Sequence, residues 1–538
     1  MLVESGKTIA TSSAREKTNT QQEPVLEIGE IQGHILPGFN KDYHTFLFLE
    51  IIEVQQVKHW LHQIHSSIIT LEAILNSHQR DQKTENSCHE LNIWLNIAFS
   101  FNGLSKLIND TDLFTDAAFK DGLHNRSELL GDPSDRNAEG NCHNWVIGGF
   151  NNVPDIILII AGDELHCVAN KVNQIETNLN SGLKIMFQQA AAVLPPPLKG
   201  HEHFGFRDCI SQPCVRGRIS DEPDSFLTPR HAPAHLHQEQ PIQDLIWPGE
   251  FIFGYPRQNP VDKLLPGAIA EASPAWARNG SFLVFRRLRQ DVEVFQEFIK
   301  TAVKKLSADN PALADIYPEK LAAKLMGRWF RGTPILHAPD SDNNVEIAQN
   351  SLLSDYFTYE GSNDFVFNDI SGKDNSRECL HMSGDVMGLI CPHAAHIRKA
   401  FPRDTKTLGG SEADTQTHRL LRRGIPFGEP FPAPGERGLL FFAYQTSIER
   451  QFEFITTNWI NNFNFPDSGA GYDPIVGQNN NLGENRIRTW TLPIKNTDGH
   501  LTKISIELPT DWVIPTGGGY FFAPSISGLK HLAGASLN

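Results

Sequence analysis

The sequence predicts an α+β fold, with antiparallel sheets covered by helices. Three observations lead there. Apolar runs of strand length are each followed by stretches with helical spacing. The first third of the chain gives the order strand, helix, strand, loop, strand, helix, which suits an antiparallel sheet with helices on one face. The same plan returns later, although self-similarity is too weak to prove a duplication.

The elements follow in order. Residues 1–24 are polar and without period, and are expected to form a disordered arm. The run 44–52 (H-T-F-L-F-L-E-I-I) predicts a strand. Val57, Leu61, Ile64, Ile68, Leu71 and Ile74 recur at helical spacing and predict one amphipathic helix over 54–77. Residues 91–101 predict a strand, with a helix opening at F-N-G-L-S-K-L. Residues 130–144 are a Gly/Asp/Asn-rich loop, 155–162 (D-I-I-L-I-I-A-G) a buried strand, and 163–183 a helix. Further on, Phe251–Gly254 is expected to be short and extended. Residues 281–287 and 439–445 predict strands, followed by helices over 291–306 and from about Ile448 to Trp459. The glycines of P-T-G-G-G-Y-F-F-A-P (515–524) lack a following Lys-Ser/Thr and predict a tight turn, not a phosphate loop. A Pro/His-rich stretch near 220–245 is the expected boundary, giving domains over 25–230 and 231–538.

Composition narrows the function. The chain has 538 residues, 40% hydrophobic and 20% charged, as ordinary globular proteins have. A net charge of −16 argues against nucleic acid or an anionic membrane as main partner. Seven thinly spread cysteines do not make a disulfide framework, the first 24 residues lack an apolar leader, and no apolar run approaches membrane-spanning length. A reducing cytosol is the default expectation.

Two stretches carry chemistry. In C-P-H-A-A-H-I-R-K-A-F-P-R-D, His393 and His396 are three apart on an expected short helix beginning near Pro392. A neutral imidazole there would suit a metal or haem iron. In R-L-L-R-R-G-I-P-F-G, Arg422 and Arg423 offer permanent cations for an anion or a polarised oxygen. A buried His with a distant Arg is more often structural. In E-H-F-G-F-R-D-C-I-S-Q-P, Asp208 follows a Gly-Phe-Arg turn and would project into an inter-domain cleft; the plainer reading is an Asx-type turn residue or a partner of Arg207. His231, His235 and His237 have metal-like spacing, but lie in a Pro/Ala stretch without thiolates or carboxylates and are expected to be solvated. Cys391 is expected to be a small buried apolar residue.

Taken together, G-F-R-D-C-I-S-Q-P, A-H-I-R-K and R-R-G-I-P-F-G resemble the dye-decolorizing peroxidase family. The resemblance extends through I-Q-G-H-I-L-P-G-F, W-P-G-E-F-I-F-G-Y-P-R, L-M-G-R-W and G-L-L-F-F-A-Y-Q, from about residue 28 to 530, on the longer branch of the family. It implies two ferredoxin-like domains, with haem b held mainly by the second. It implies His396, rather than His393, as the proximal iron ligand, and Asp208 and Arg422, rather than Arg423, on the opposite face. It further implies hydrogen peroxide as oxidant, and dyes and phenols as donors oxidised at the surface through aromatic residues. Trp329, Tyr444 and Trp459 are candidate relays, although such residues are more often simply core. Arg398 and Arg403 are candidates for haem propionates, with helix-end ion pairs as the other reading. Glu449 is the candidate carboxylate behind the proximal imidazole. The family has glycine where this chain has Cys209, which leaves the backbone there and the pose of Asp208 open. A haem-binding protein without useful turnover is the second reading, kept by Cys209.

Overall fold

A computed structural model describes residues 23–78, 92–179, 181–230, 245–271, 274–342, 345–349, 354–355, 357–361, 363–366, 379–382, 384–405, 407, 410, 412–479 and 486–534. In the first half, β1 (Tyr43–Ile51) leads through α1 (Val54–Ile64) to β2 (Trp94–Phe99). Then come β3 (Ile156–Gly162), α2 (Leu165–Asn178) and β4 (Leu183–Ala192). In the second half, β5 (Ser281–Gln290) is followed by α3 (Val292–Asp309), α4 (Pro318–Met326) and α5 (His396–Ala400). The strands β6 (Leu421–Arg422), β7 (Ile425–Phe427) and β8 (Gly438–Gln445) precede a hairpin of β9 (Arg488–Lys495) and β10 (Leu501–Leu508), and β11 (Val513–Ala523) ends the sheet.

Each half has the ferredoxin-like antiparallel order. The strands run β4-β1-β3-β2 in the first half and β11-β5-β8-β6 in the second. Phe522 of β11 pairs with Phe99 of β2, so the halves share one sheet. Side chains alternate along each strand. Leu47, Leu49, Leu158 and Val284 face one core with α1 and α2, while Phe46, Phe48, Ile157 and Phe285 face another. Burial on both faces explains why these runs are continuously apolar.

The second of these cores is the inside of a barrel. Four strands separate β1 from β8 in the sheet. Five spacings of about 4.8 Å would put them roughly 24 Å apart if the sheet were flat. Yet Phe46 and Phe442 stack with ring centroids 4.7 Å apart, so the sheet is curled.

Several expectations are corrected. The helix over 54–77 is two, Val54–Ile64 and Leu71–His78. Between them, the Ile69 amide pairs with Leu95 O and the Thr70 hydroxyl accepts from Ala73, which competes with helix continuation. The glycines at 517–519 lie in β11 and not in a turn. They admit a neighbouring segment: Gly518 N–H donates to Ile147 O, and at Gly148 (φ 81°) a Cβ would lie 1.6 Å from Gly518 O. β4 and the β9–β10 hairpin were not foreseen. Phe251–Gly254 is a turn in which Phe251, Ile252 and Phe253 are buried. Of the expected arm, Glu23 is buried and paired with Arg216 and Arg230. The predicted helix after Ile448 is present with wider, π-type bonding, Glu453 N–H to Ile448 O and Asn461 N–H to Thr456 O. Cys391 is fully buried, as expected, but Cys167 is disulfide-bonded, which the thin cysteine spread did not suggest. No helix among the described residues is long and apolar enough to cross a membrane.

Candidate active site

The outer face of β5 and β8, together with the helices after β5 and β8, encloses a cavity of about 330 Å³, within the usual range for ligand pockets. Its walls are largely apolar, with Leu288, Leu439, Phe441, Phe452 and Ile455 among them. His396, Asp208, Cys209, Arg422 and Arg403 all line it.

His396 opens α5. Gly327, at φ 93°, ends α4, and a Cβ there would lie 2.4 Å from Ile397 Cγ1, so the glycine lets α5 approach. His396 Nδ1 lies 2.8 Å from Asp473 Oδ2. Asp473 Oδ1 accepts the amides of Ile475 (2.8 Å) and Val476 (3.0 Å), so both oxygens are committed. Desolvation alone would lower the imidazole, but the Asp473 charge and hydrogen bond outweigh it and raise His396 above its ordinary value. Burial would raise Asp473; the His396 charge, the imidazole bond and the two amides reverse that and lower it. In the neutral imidazole this contact favours the proton on Nδ1, pointing at Asp473, and leaves the Nε2 lone pair free to bind a metal.

Asp473 replaces Glu449 as the carboxylate behind this histidine. Glu449 is about half exposed and accepts from Ala117 N at 3.3 Å. The sequence did carry a signal, G-Y-D-P-I-V-G, in which an aspartate precedes amides free to turn back on it. His393 precedes α5 and does not share its face; Nε2 bonds Val386 O at 2.8 Å, and the ring lies outside the cavity lining.

Arg422 and Arg423 are separated by strand alternation. Arg422 Nη1 is 3.7 Å from Asp208 Oδ1, and Nη2 donates to Ser211 O at 2.9 Å. Arg423 turns into the barrel, donating to His34 O and Ile35 O at 3.1 and 2.8 Å. Asp208 is not paired with Arg207, whose guanidinium donates to Ala348 O. Asp208 Oδ1 also accepts the Cys209 amide at 2.6 Å, and Cys209 sits at φ 58°. The left-handed backbone that glycine would favour is therefore kept here by a cysteine.

The two other expected arginines part company. Arg403 lines the cavity and donates to Asp355 O and Phe357 O. Arg398 does not line it. It is fully buried, donates to Asp385 O and Cys391 O, and lies over the Tyr359 ring. Two arginines that the sequence did not single out, Arg328 and Arg419, line the cavity, each lowered to about 10 by burial. Of the three relay candidates, only Trp459 lines the cavity; Tyr444 bonds His34 Nδ1 at 2.8 Å inside the barrel, and Trp329 bonds Ala338 O. His231, His235 and His237 lie outside the described residues, among which no cluster of three metal-type ligands occurs.

These residues fit a haem. One imidazole offers Nε2 with a buried carboxylate at its back, and the walls are apolar. Three guanidinium groups, Arg419 with Arg328 and Arg403 that share the Asp355 carboxylate, leave net positive charge for carboxylates at the edge.

Comparison with known proteins agrees. Residues 30–195 match the family described as the DyP dimeric alpha+beta barrel domain, and residues 373–470 match the Dyp-type peroxidase C-terminal family. The chain is 30% identical over 533 residues to dye-decolorizing peroxidase msp1 of Mycetinis scorodonius, covering 96% of this chain and 90% of that protein. It is 26% identical to the multifunctional dye peroxidase DyP2 of an Amycolatopsis strain, covering 95% of this chain and 97% of that one. Among solved structures, an ancestral D-type dye-decolorizing peroxidase superposes with TM-score 0.73 at 31% identity, covering 95% of this chain and all of that one. The Auricularia auricula-judae enzyme complexed with imidazole gives 0.70 at 27%, covering 94% of this chain and all of that one. The barrel, the cavity and these likenesses lead to one conclusion: the chain belongs to the dye-decolorizing peroxidase family and is a haem peroxidase.

Proposed function

We propose that the enzyme reduces hydrogen peroxide and oxidises dyes and phenolic donors, with haem b as its cofactor. The observation that carries this is the pairing of Asp208 and Arg422 at 3.7 Å on the wall of the cavity that His396 also lines. Haem, when bound, supplies the iron that takes up the two oxidising equivalents of peroxide. His396 Nε2 would hold that iron, and Asp473 makes the imidazole more basic. Arg403, with Arg328 and Arg419, would meet the propionates; Arg398 does not line the cavity and is not preferred.

The acid and the cation have separate tasks. The Asp208 carboxylate takes the proton from one peroxide oxygen and returns it to the other, so that the departing oxygen leaves as water. The Arg422 guanidinium stabilises negative charge on that oxygen while the bond breaks. A guanidinium has donors and no acceptor, so the proton step falls to the Asp208 carboxylate.

Dyes are too bulky for this cavity, and we place their oxidation at the surface, with Trp459 the best-placed of the aromatic candidates. Domains over 25–230 and 231–538 suit the two ferredoxin-like orders, although one sheet joins them. A cytosolic location is proposed from the cysteine usage; the disulfide at Cys167 counts against it, and cell fractionation decides. Nothing in the structure favours haem binding without turnover. The test is peroxide-dependent bleaching of an anthraquinone dye by the reconstituted enzyme and by D208N. Bleaching by the wild type and a loss of about 100-fold or more in D208N are expected; equal rates contradict the reading.

A further inference from the structure

The turn that delivers Asp208 is built around a second carboxylate. Glu202 is only 8% exposed and lines the same cavity. Its Oε2 accepts Phe204 N–H and its Oε1 accepts Phe206 N–H, both at 2.9 Å. The Gln290 amide, at the end of β5, also donates to Oε2. The backbone closes the same loop: Glu202 N–H to Phe206 O, Gly205 N–H to Glu202 O, and Asp208 N–H to Gly200 O. At the far end, Arg422 holds Ser211 O through Nη2 and the Gln212 side chain through its backbone N–H.

The segment carrying Asp208 is therefore held to β6 through Arg422 and to β5 through Glu202 and Gln290, with further bonds from His203 to Phe427 O and from Arg207 to Phe330 O and Ala348 O. We infer that Glu202 is a positioning residue, whose carboxylate clamps the 202–206 turn onto β5 and so sets Asp208 against Arg422. This rests on the proton role proposed for Asp208. A carboxylate suits the task because three donors converge on it and it has only acceptors to offer. A glutamine would turn an NH2 toward one of those N–H groups. Burial lifts the carboxyl to about 7, so the acceptor-only form that these three donors need is the one present above that pH, where the test is run.

The test uses holoenzymes carrying E202Q, D208N and both changes. Cyanide binds ferric haem as an anion drawn from HCN, so its association rate reports the proton acceptor without turnover. The E202Q enzyme is expected to keep full haem stoichiometry and the dye KM. Its cyanide association and its kcat/KM for peroxide are expected to fall about tenfold to 100-fold, the scale of a misplacement near 1 Å. In the D208N background, E202Q is expected to add no further loss. A wild-type cyanide rate in E202Q with a slowed D208N overturns the inference alone, as do losses that simply multiply. A wild-type rate in D208N overturns the role of Asp208 and the inference with it. If E202Q does not hold haem, Q290A carries the test, since it cuts the clamp from the strand side and leaves the turn bonds in place. A slowed rate supports the inference, and an unchanged one overturns it.

Discussion

The imidazole of His396 and the carboxylate of Asp473 meet at 2.8 Å, although 77 positions separate them in the chain. Asp473 is fully buried, and its other oxygen is held by two amides, so the imidazole cannot swing without breaking a satisfied cluster. D473N should therefore weaken haem retention by about 10–100-fold, as loss of the partner behind a metal-bound histidine does. It should also raise the Fe(III)/Fe(II) potential. Haem transfer to apomyoglobin and a spectroelectrochemical titration measure the two. E449Q should change neither.

Arg422 and Arg423 are neighbours with opposite orientations, and their variants should fail differently. R422A should keep haem and lose about 10²–10³ in peroxide turnover, the usual effect of removing a charge stabiliser. R423A removes two hydrogen bonds to barrel carbonyls and should lower Tm instead, leaving turnover per bound haem close to wild type. Steady-state kinetics normalised to Soret absorbance, with thermal unfolding alongside, separate the cases.

At Cys209 two effects nearly cancel. A non-glycine residue at φ 58° costs about 1–2 kcal/mol, and a glycine there would lose about 0.5–1 kcal/mol through chain entropy. C209G should therefore hold haem, change Tm little or raise it slightly, and keep or raise activity. Loss of haem in C209G would show that the side chain has a part in the cavity.

Glu250 gives a pH prediction for the haem-free chain. It is fully buried, and burial raises its carboxyl to about 7 from 4.5, against the pull of Arg450. The folded state thus binds a proton that the unfolded state releases, and stability falls as pH rises from about 4.5 to 7, then levels off. E250Q removes that slope. The Tm of E250Q relative to wild type should be more favourable at pH 8 than at pH 5; an identical difference at both would contradict the assignment.

Much of the fold was legible because burial writes itself into local pattern. The runs at 44–52, 155–162, 281–287 and 439–445 are all strands of one sheet, buried on both faces. β4 was missed because it is an edge strand of mixed exposure, with the half-polar run L-K-I-M-F-Q-Q-A-A-A. The 517–519 glycines misled because closeness to Ile147 and Gly148 is a tertiary fact that local rules read as a turn. At the site, residues inside short motifs were named before the structure: Asp208, His396, Arg403 and Arg422 line one cavity. Asp473, Arg328 and Arg419 were not: G-Y-D-P-I-V-G marks Asp473 as a turn aspartate, but which imidazole it meets, and which arginines reach the cavity, are tertiary facts.

The central claim is that His396 holds haem iron in the cavity faced by Asp208 and Arg422. The most direct measurement is the absorption spectrum of the ferric holoprotein and of H396A, each titrated with haem and then mixed with one equivalent of peroxide. The account predicts one haem per chain and a rapid peroxide-induced Soret change in the wild type, with both lost or grossly altered in H396A. An H396A protein with the wild-type ferric spectrum and the same response to peroxide would contradict it.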